Sequence, residues 1–311
     1  MVRLLIEKGA EINKTALSRS SGPKTALEAA CWGGHEDVVR LLIAEGADVN
    51  SGEKHTHCSA LRWTMNIRSK SGARSSIARI LLENGAKVDF MGSTICLFIR
   101  SDDVDIVNLL LDRCSDVDER SADGRTPMEI ACEVGDEETV RTLLDRGADT
   151  AVGCCVASVA GGPGTSEDVR MRILHLVVAA GADVNARGQG TYCGALHGAC
   201  QQTREKMFHM LLDLGAKIHS PGNKGGTLIH AVVSSSKMMR KEGDSDAEQT
   251  KLRRILGFLV GEGLDINAQG PSGSPLQMAS VNDSTSNLPM LRYLVEKGAD
   301  VNAQGGDCRR L

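Results

Sequence analysis

The chain has 311 residues, enough at roughly 100 to 200 residues per domain for two ordinary domains. Lys and Arg number 36 against 40 Asp and Glu, and a net charge of −4 gives no field that steers the protein toward nucleic acid. Aromatic residues make up only 3%, which excludes an aromatic-rich core and a row of base-stacking side chains.

The first residues carry Glu7, Lys8 and Glu11 directly behind a short apolar patch, so they are not a signal peptide. Their phrase, VRLLIEKGAEIN from Val2 to Asn13, returns almost unchanged as VRLLIAEGADVN from Val39 to Asn50. It recurs as ILLENGAKVD (80–89), LLLDRCSDVD (109–118), TLLDRGADT (142–150), LVVAAGADVN (176–185), MLLDLGAKIH (210–219), FLVGEGLDIN (258–267) and YLVEKGADVN (293–302), nine copies in all. The glycine of each copy, replaced by Cys114 in one, recurs at steps between 29 and 48 residues and typically near 33. A period of that length belongs to repeat architectures, so residues 1–311 read as one elongated array rather than two cores. About eight full repeats with partial repeats at both ends are expected.

A second phrase precedes most copies: TALEAA at Thr25, TPMEIA at Thr126, GALHGA at Gly194, TLIHAV at Thr227 and SPLQMA at Ser274. In the Thr25 unit, Leu27, Ala30, Val38, Val39, Leu41 and Leu42 supply apolar faces at helical spacing, and Gly33, Gly34 and Gly46 permit turns. Helices this short do not persist alone, so stability must come from neighbouring repeats. Three units depart from the pattern. The Ser59 unit is lengthened around Arg68 to Ser75, and GGPGTS (161–166) lengthens the junction between two helices. The largest insertion, near 234–254, alternates basic and acidic blocks and reads as a solvated loop with helical ends.

These phrases resemble the ankyrin repeat, in which a T-P-L-H turn opens an inner helix, a G-H break leads to an outer helix, and G-A-D-V-N closes the unit. The closest stretch is SADGRTPMEIACEVGDEETVRTLLDRGAD, from Ser121 to Asp149. The resemblance implies an all-α fold, an ankyrin-repeat solenoid of stacked helix-turn-helix units with extended finger loops. The irregular, insertion-bearing units look like those of long ankyrin proteins of filamentous fungi, where arrays often follow a nucleotide-binding domain. Met1 falls inside an outer helix, and the chain stops inside a new finger, so the expectation is a piece of a longer array.

The resemblance also offers a plain account of residues that could suggest chemistry. Cys193, His197 and Cys200 can be drawn as a nucleophile with its base or as part of a zinc site, but His197 and His230 fall in the His slot of the repeat, where the imidazole ties the turn together. Cys31, Cys132 and Cys200 share a small-residue slot and are expected to pack. GGPGTS lacks the lysine and preceding strand of a P-loop, and no G-x-S-x-G or H-E-x-x-H occurs. No catalytic, cofactor or metal residue is therefore assigned. Free thiols and the absence of a leader point to the cytosol or nucleus. The longest apolar run, around Ile173 to Ala182, contains His175 and is too short to span a membrane.

What the resemblance implies instead is a protein partner, met by a concave groove and the finger tips of a monomer or of part of a longer chain. Trp63 falls in a core slot. Trp32 falls in the variable slot before the G-H break, either facing the groove or covering a neighbouring helix. Carried over position by position, the binding strip comprises Trp32, Lys24, Asn66, Arg100, Asp123, Arg125, Glu133, Thr191, Gln201, Gln202, Lys224 and Asn282. Amide-rich and of mixed charge, it suits a protein surface or an extended peptide and not a phosphate backbone.

Overall fold

Two phrases per period should give two helices per repeat, and a computed structural model of the chain has that form. It describes residues 1–16, 22–51, 60–65, 71–88, 91–100, 104–187, 194–219, 226–238, 246–270, 272–280 and 288–303. A first helix, α1 (Val2–Glu7), is followed by leading and trailing pairs: α2 (Ala26–Gly33) and α3 (Glu36–Ala44), α4 (Ala60–Thr64) and α5 (Ser71–Glu83), α6 (Met91–Ile99) and α7 (Val104–Leu111), α8 (Pro127–Val134) and α9 (Glu137–Asp145). The series continues as α10 (Cys155–Gly161) and α11 (Glu167–Ala179), α12 (Ala195–Gln201) and α13 (Glu205–Asp213), α14 (Leu228–Met238) and α15 (Asp246–Gly261), α16 (Pro275–Ser280) and α17 (Leu288–Glu296).

The chain divides into two compact units, one of residues 1–130 with 145–148, the other of residues 131–144 with 149–311. In the first, α2 packs on α4, while α3, α5 and α7 pack in succession. In the second, α10, α12, α14 and α16 form one row and α11, α13, α15 and α17 the other, with each leading helix packed on its own trailing partner. The fold is therefore the all-α repeat array expected. The charged insertion is more helical than the sequence suggested: α14 runs on to Met238 and α15 begins at Asp246, so 246–254 extends a trailing helix.

Small residues set how closely the leading helices approach. A Cβ placed on Gly198 of α12 would lie 2.7 Å from the backbone nitrogen of Gly161 on α10, so only glycine fits at that crossing. All seven residues of α10 are buried, the largest of them valine. Large rings are buried elsewhere, Phe98 and Phe208 among them, so the small-residue packing belongs to this crossing.

Three recurring hydrogen-bond devices explain the phrases. Thr25 begins α2 with a reciprocal capping box, its hydroxyl accepting from Glu28 N–H while the Glu28 carboxylate accepts from the Thr25 N–H. Thr126 with Glu129 and Ser274 with Gln277 repeat it. At the other end of each unit, Gly46 lies at φ +89°, a left-handed turn in which Ala47 N–H reaches the carbonyl of Leu42. The same five-residue reach recurs at Ala86, Ala182, Ala216, Leu264 and Ala299. Cys114, in the glycine slot, does not adopt positive φ, and α7 ends in a different turn, with Cys114 Sγ against the carbonyl of Asp116 at 2.8 Å.

The third device joins repeats. Asn50 Nδ2 donates to the Gly85 carbonyl at 3.0 Å, and its Oδ1 accepts from Lys87 N–H at 2.8 Å. Asn13 makes the same pair of bonds to Gly46 and Asp48, Asn185 to Gly215 and Lys217, and Asn267 to Gly298 and Asp300. Within the phrase itself Asp48, Asp183 and Asp265 each accept from the N–H two residues on, holding the turn that aims the asparagine.

Candidate protein-binding surface

In the first unit, the C-terminal turn of α2 carries Trp32 out of the core and leaves it 52% exposed. Its ring meets that of Trp63 on α4 edge to face, with centroids 6.4 Å apart, a favoured aromatic geometry. Trp32 thus covers a neighbouring helix and offers a face to solvent as well. Trp63 is only half-buried, not fully in the core, although its indole nitrogen is enclosed.

Arg100, at the end of α6, reaches Asp123 in the following finger at 3.4 Å. Ser121 donates its hydroxyl to Asp123 as well, and its N–H and hydroxyl meet the Arg125 carbonyl at 2.8 Å and 2.9 Å. The Ser121 bond, aided by Arg100 and Arg125, holds the Asp123 carboxyl below its ordinary range. Arg100, Asp123 and Arg125 are therefore drawn into one finger. Lys24 is half-buried before α2, in a depression lined by Lys14, Pro23, Ala26 and Ala29.

In the second unit, Glu133, Gln201 and Gln202 are half-buried at the ends of α8 and α12. Asn66, Thr191, Lys224 and Asn282 lie outside the described residues, as does Cys193.

The histidine slot does more than close a turn. His230 Nδ1 accepts from Thr227 N–H at 3.2 Å, which leaves Nε2 to donate to Gly273 at 3.0 Å in the next finger. His197 Nε2 lies 3.2 Å from the Gly226 carbonyl, and Gln277 donates to Ala303 at 2.7 Å. Burial lowers the pKa of both imidazoles, keeping them neutral. Burial likewise pushes the Cys31 thiol up to about 12 and the Cys200 thiol higher still, leaving neither as a thiolate at neutral pH.

Two residues carry a role the sequence did not announce. Arg170 is wholly buried, and Arg204 is 8% exposed. Both fall eleven residues before their repeat's glycine, the slot that holds His35 in α3's repeat and Asp136 in α9's. Asp136 serves locally, accepting from Thr139 N–H at 3.0 Å. The arginines instead reach backward to carbonyls at the ends of leading helices, including Cys132 and Val159 for Arg170 and Ala160 and Gly162 for Arg204. Two arginines in one slot of adjacent repeats were the only available signal.

A family model described as ankyrin repeats, in three copies, matches residues 65–153, and a single-repeat model matches 24–54 and 274–306. The chain is 31% identical over 175 residues to the ankyrin repeat protein FPV014 of fowlpox virus (strain NVSL), covering 53% of this chain and 37% of the viral one. It is 26% identical over 137 residues to the ankyrin repeat and KH domain-containing protein mask-1 of Caenorhabditis elegans, covering 42% of this chain and 5% of that protein. This chain thus spans well under half the length of either relative. The crystal structure of the human ASB11 ankyrin repeat domain superposes with a TM-score of 0.52 at 22% identity, covering 74% of this chain and 98% of that one. Repeated capping turns, asparagine links and paired helices agree with these matches: the chain is an ankyrin-repeat protein.

Proposed function

We propose that the chain is a non-catalytic scaffold that holds a protein partner in a groove lined by leading helices and finger tips, with Trp32 central to the contact. Ankyrin repeats are general protein-interaction modules. The observation that carries the reading further is Trp32 itself, 52% exposed yet braced edge-on by Trp63. A large ring fixed before binding adds contact area at little entropy cost, and tryptophan is enriched among residues that dominate binding energy. Within the same unit the finger of Arg100, Asp123 and Arg125 adds charges of both signs, a mixture suited to a protein and not to a polyanion. The buried, protonated thiols of Cys31 and Cys200 and the neutral imidazoles of His197 and His230 support leaving catalysis out of the reading.

The test is affinity capture with the full chain and with Trp32→Ala. Partners enriched by the wild type should be lost from the variant while its helical content is unchanged. Undiminished capture removes Trp32 from the contact.

A second reading makes the chain a sensing or regulatory segment of a larger enzyme or nucleotide-binding signalling protein. The room for it is that the chain covers only 37% and 5% of the lengths of two relatives, neither of them named as an enzyme. Genomic sequence upstream of Met1 separates the two: an in-frame P-loop favours the second, a stop codon behind a promoter the first.

A further inference from the structure

In the second unit the backbone at the ends of α8 and α10 is held by two buried guanidiniums, one of them carried by Arg204, two residues past Gln202 at the end of α12. Arg170 Nη1 donates to Cys132 at 3.2 Å and Val159 at 3.0 Å, and Nη2 to Glu133 at 2.9 Å and Pro163 at 2.7 Å. Arg204 donates through Nη1 to Ala160 at 2.7 Å and through Nη2 to Gly162 at 2.6 Å, while its own N–H returns to Ala199 of α12 at 2.9 Å. Thr165 adds a bond from its hydroxyl to the Val134 carbonyl at 2.7 Å. The fit is close enough that a Cβ on Gly162 would fall 1.9 Å from the Glu133 oxygen. The glycine-rich segment 161–166 is therefore held at both ends.

Helix C-termini leave carbonyls that need donors, and a planar guanidinium supplies five in fixed directions. Burying two cations is costly, and well-packed apolar residues often stabilise such a site as well or better. What the arginines add is fixed geometry at the places where Glu133, Gln201 and Gln202 emerge. Resting on the protein-binding reading above, the geometry points to Arg170 and Arg204 as positioning residues that set the spacing of those three side chains for an extended peptide. Gln201 and Gln202 each carry an amide donor and acceptor, the pairing that an extended backbone requires. The guanidinium heads are spent on carbonyls within the fold, so the edge is not built for phosphate.

The probe is a displayed library of random linear peptides, panned on the full chain. Kd values of the selected peptides are then measured for wild type, for Gln201→Ala with Gln202→Ala, for Arg170→Lys, for Arg204→Lys, and for Asn267→Ala as a destabilised control remote from the edge. Lysine keeps the charge but not the planar fork. Peptides that need the glutamines should bind the Arg→Lys variants about tenfold more weakly and the control unchanged. Amide hydrogen exchange should quicken over 159–166 in the arginine variants alone. Should Arg170→Lys not fold, Arg204→Lys, nearer the surface, decides the matter. Peptides that need the glutamines yet bind both arginine variants as tightly as wild type overturn the positioning role and leave the protein-binding reading intact. Selected peptides indifferent to Gln201 and Gln202 overturn both for this edge.

Discussion

His230 and Gly273 stand 43 residues apart in the chain and are joined by one hydrogen bond, imidazole Nε2 to carbonyl oxygen at 3.0 Å. The bond exists in this form because Nδ1 is occupied as an acceptor by Thr227. A second proton on the ring would turn that acceptor into a donor facing an N–H. Burial accordingly lowers the folded-state pKa of His230, and of His197, below the ordinary value. For a histidine shifted this way the unfolded chain binds the proton more readily. The stabilisation is complete above the unfolded pKa near 6.5 and is lost as pH falls through the folded pKa. The urea midpoint should therefore drop between pH 7.5 and pH 5.5. In His230→Gln that drop should shrink, since Gln277 shows that an amide can fill the slot.

Thr203 occupies the left-handed position that Gly34 and Gly135 fill in other repeats, at φ 56°. That conformation costs a non-glycine residue about 1–2 kcal/mol, and the Thr203 hydroxyl is enclosed without a hydrogen-bond partner. Replacing it by glycine removes both penalties and adds back some unfolded-state entropy. Thr203→Gly should raise stability by about 1 kcal/mol, read as a higher thermal midpoint. An unchanged or lower midpoint would show that the hydroxyl or the β-branch makes a compensating contact.

Gly198 tests the helix crossing. A methyl there would lie 2.7 Å from Gly161 nitrogen and 2.8 Å from its Cα, backbone atoms that cannot turn aside. Gly198→Ala should separate α12 from α10 and cost about 1–3 kcal/mol, despite alanine's better helix propensity. Gain of stability in denaturant titration would contradict the close approach.

Asn185 joins two repeats through Gly215 and Lys217. Both bonds are exposed, so each is worth about 0.5–1.5 kcal/mol and their loss in Asn185→Ala should cost about 1–2 kcal/mol in all. Hydrogen exchange provides a local readout: the Lys217 amide should lose protection while the helical amides of α12 keep theirs.

Most of this could be read from the residues beforehand, because the devices are local. Thr25 with Glu28, or Asp48 with Asn50, act within a few positions, and phrases repeated five and nine times show what each position is for. The buried slot of Cys31, Cys132 and Cys200 was legible for the same reason. What escaped was long-range or compensatory. Arg170 reads as an ordinary charged residue of an amphipathic helix, and only the fold brings it to carbonyls 36 to 38 positions upstream. Cys114 was placed in a glycine slot, yet a side chain disfavours the glycine conformation and the turn changed instead. Of the surface, the Arg100 and Asp123 pair could be proposed by register alone, whereas the mutual support of Trp32 and Trp63 depends on how far α2 and α4 lie from each other.

The asparagine links bear on how such a chain can change length. Each one asks its successor for only two backbone groups, a glycine carbonyl and the N–H two residues beyond, and every successor with the closing phrase offers both. Excision of 186–267 would leave Asn185 ahead of Ala268, with Gly298 and Asp300 presenting the same two groups that Gly215 and Lys217 present now. Loss or gain in whole periods therefore preserves the joints, while a deletion of a few residues inside a period breaks one. For this protein the heritable unit of tolerated change is the repeat.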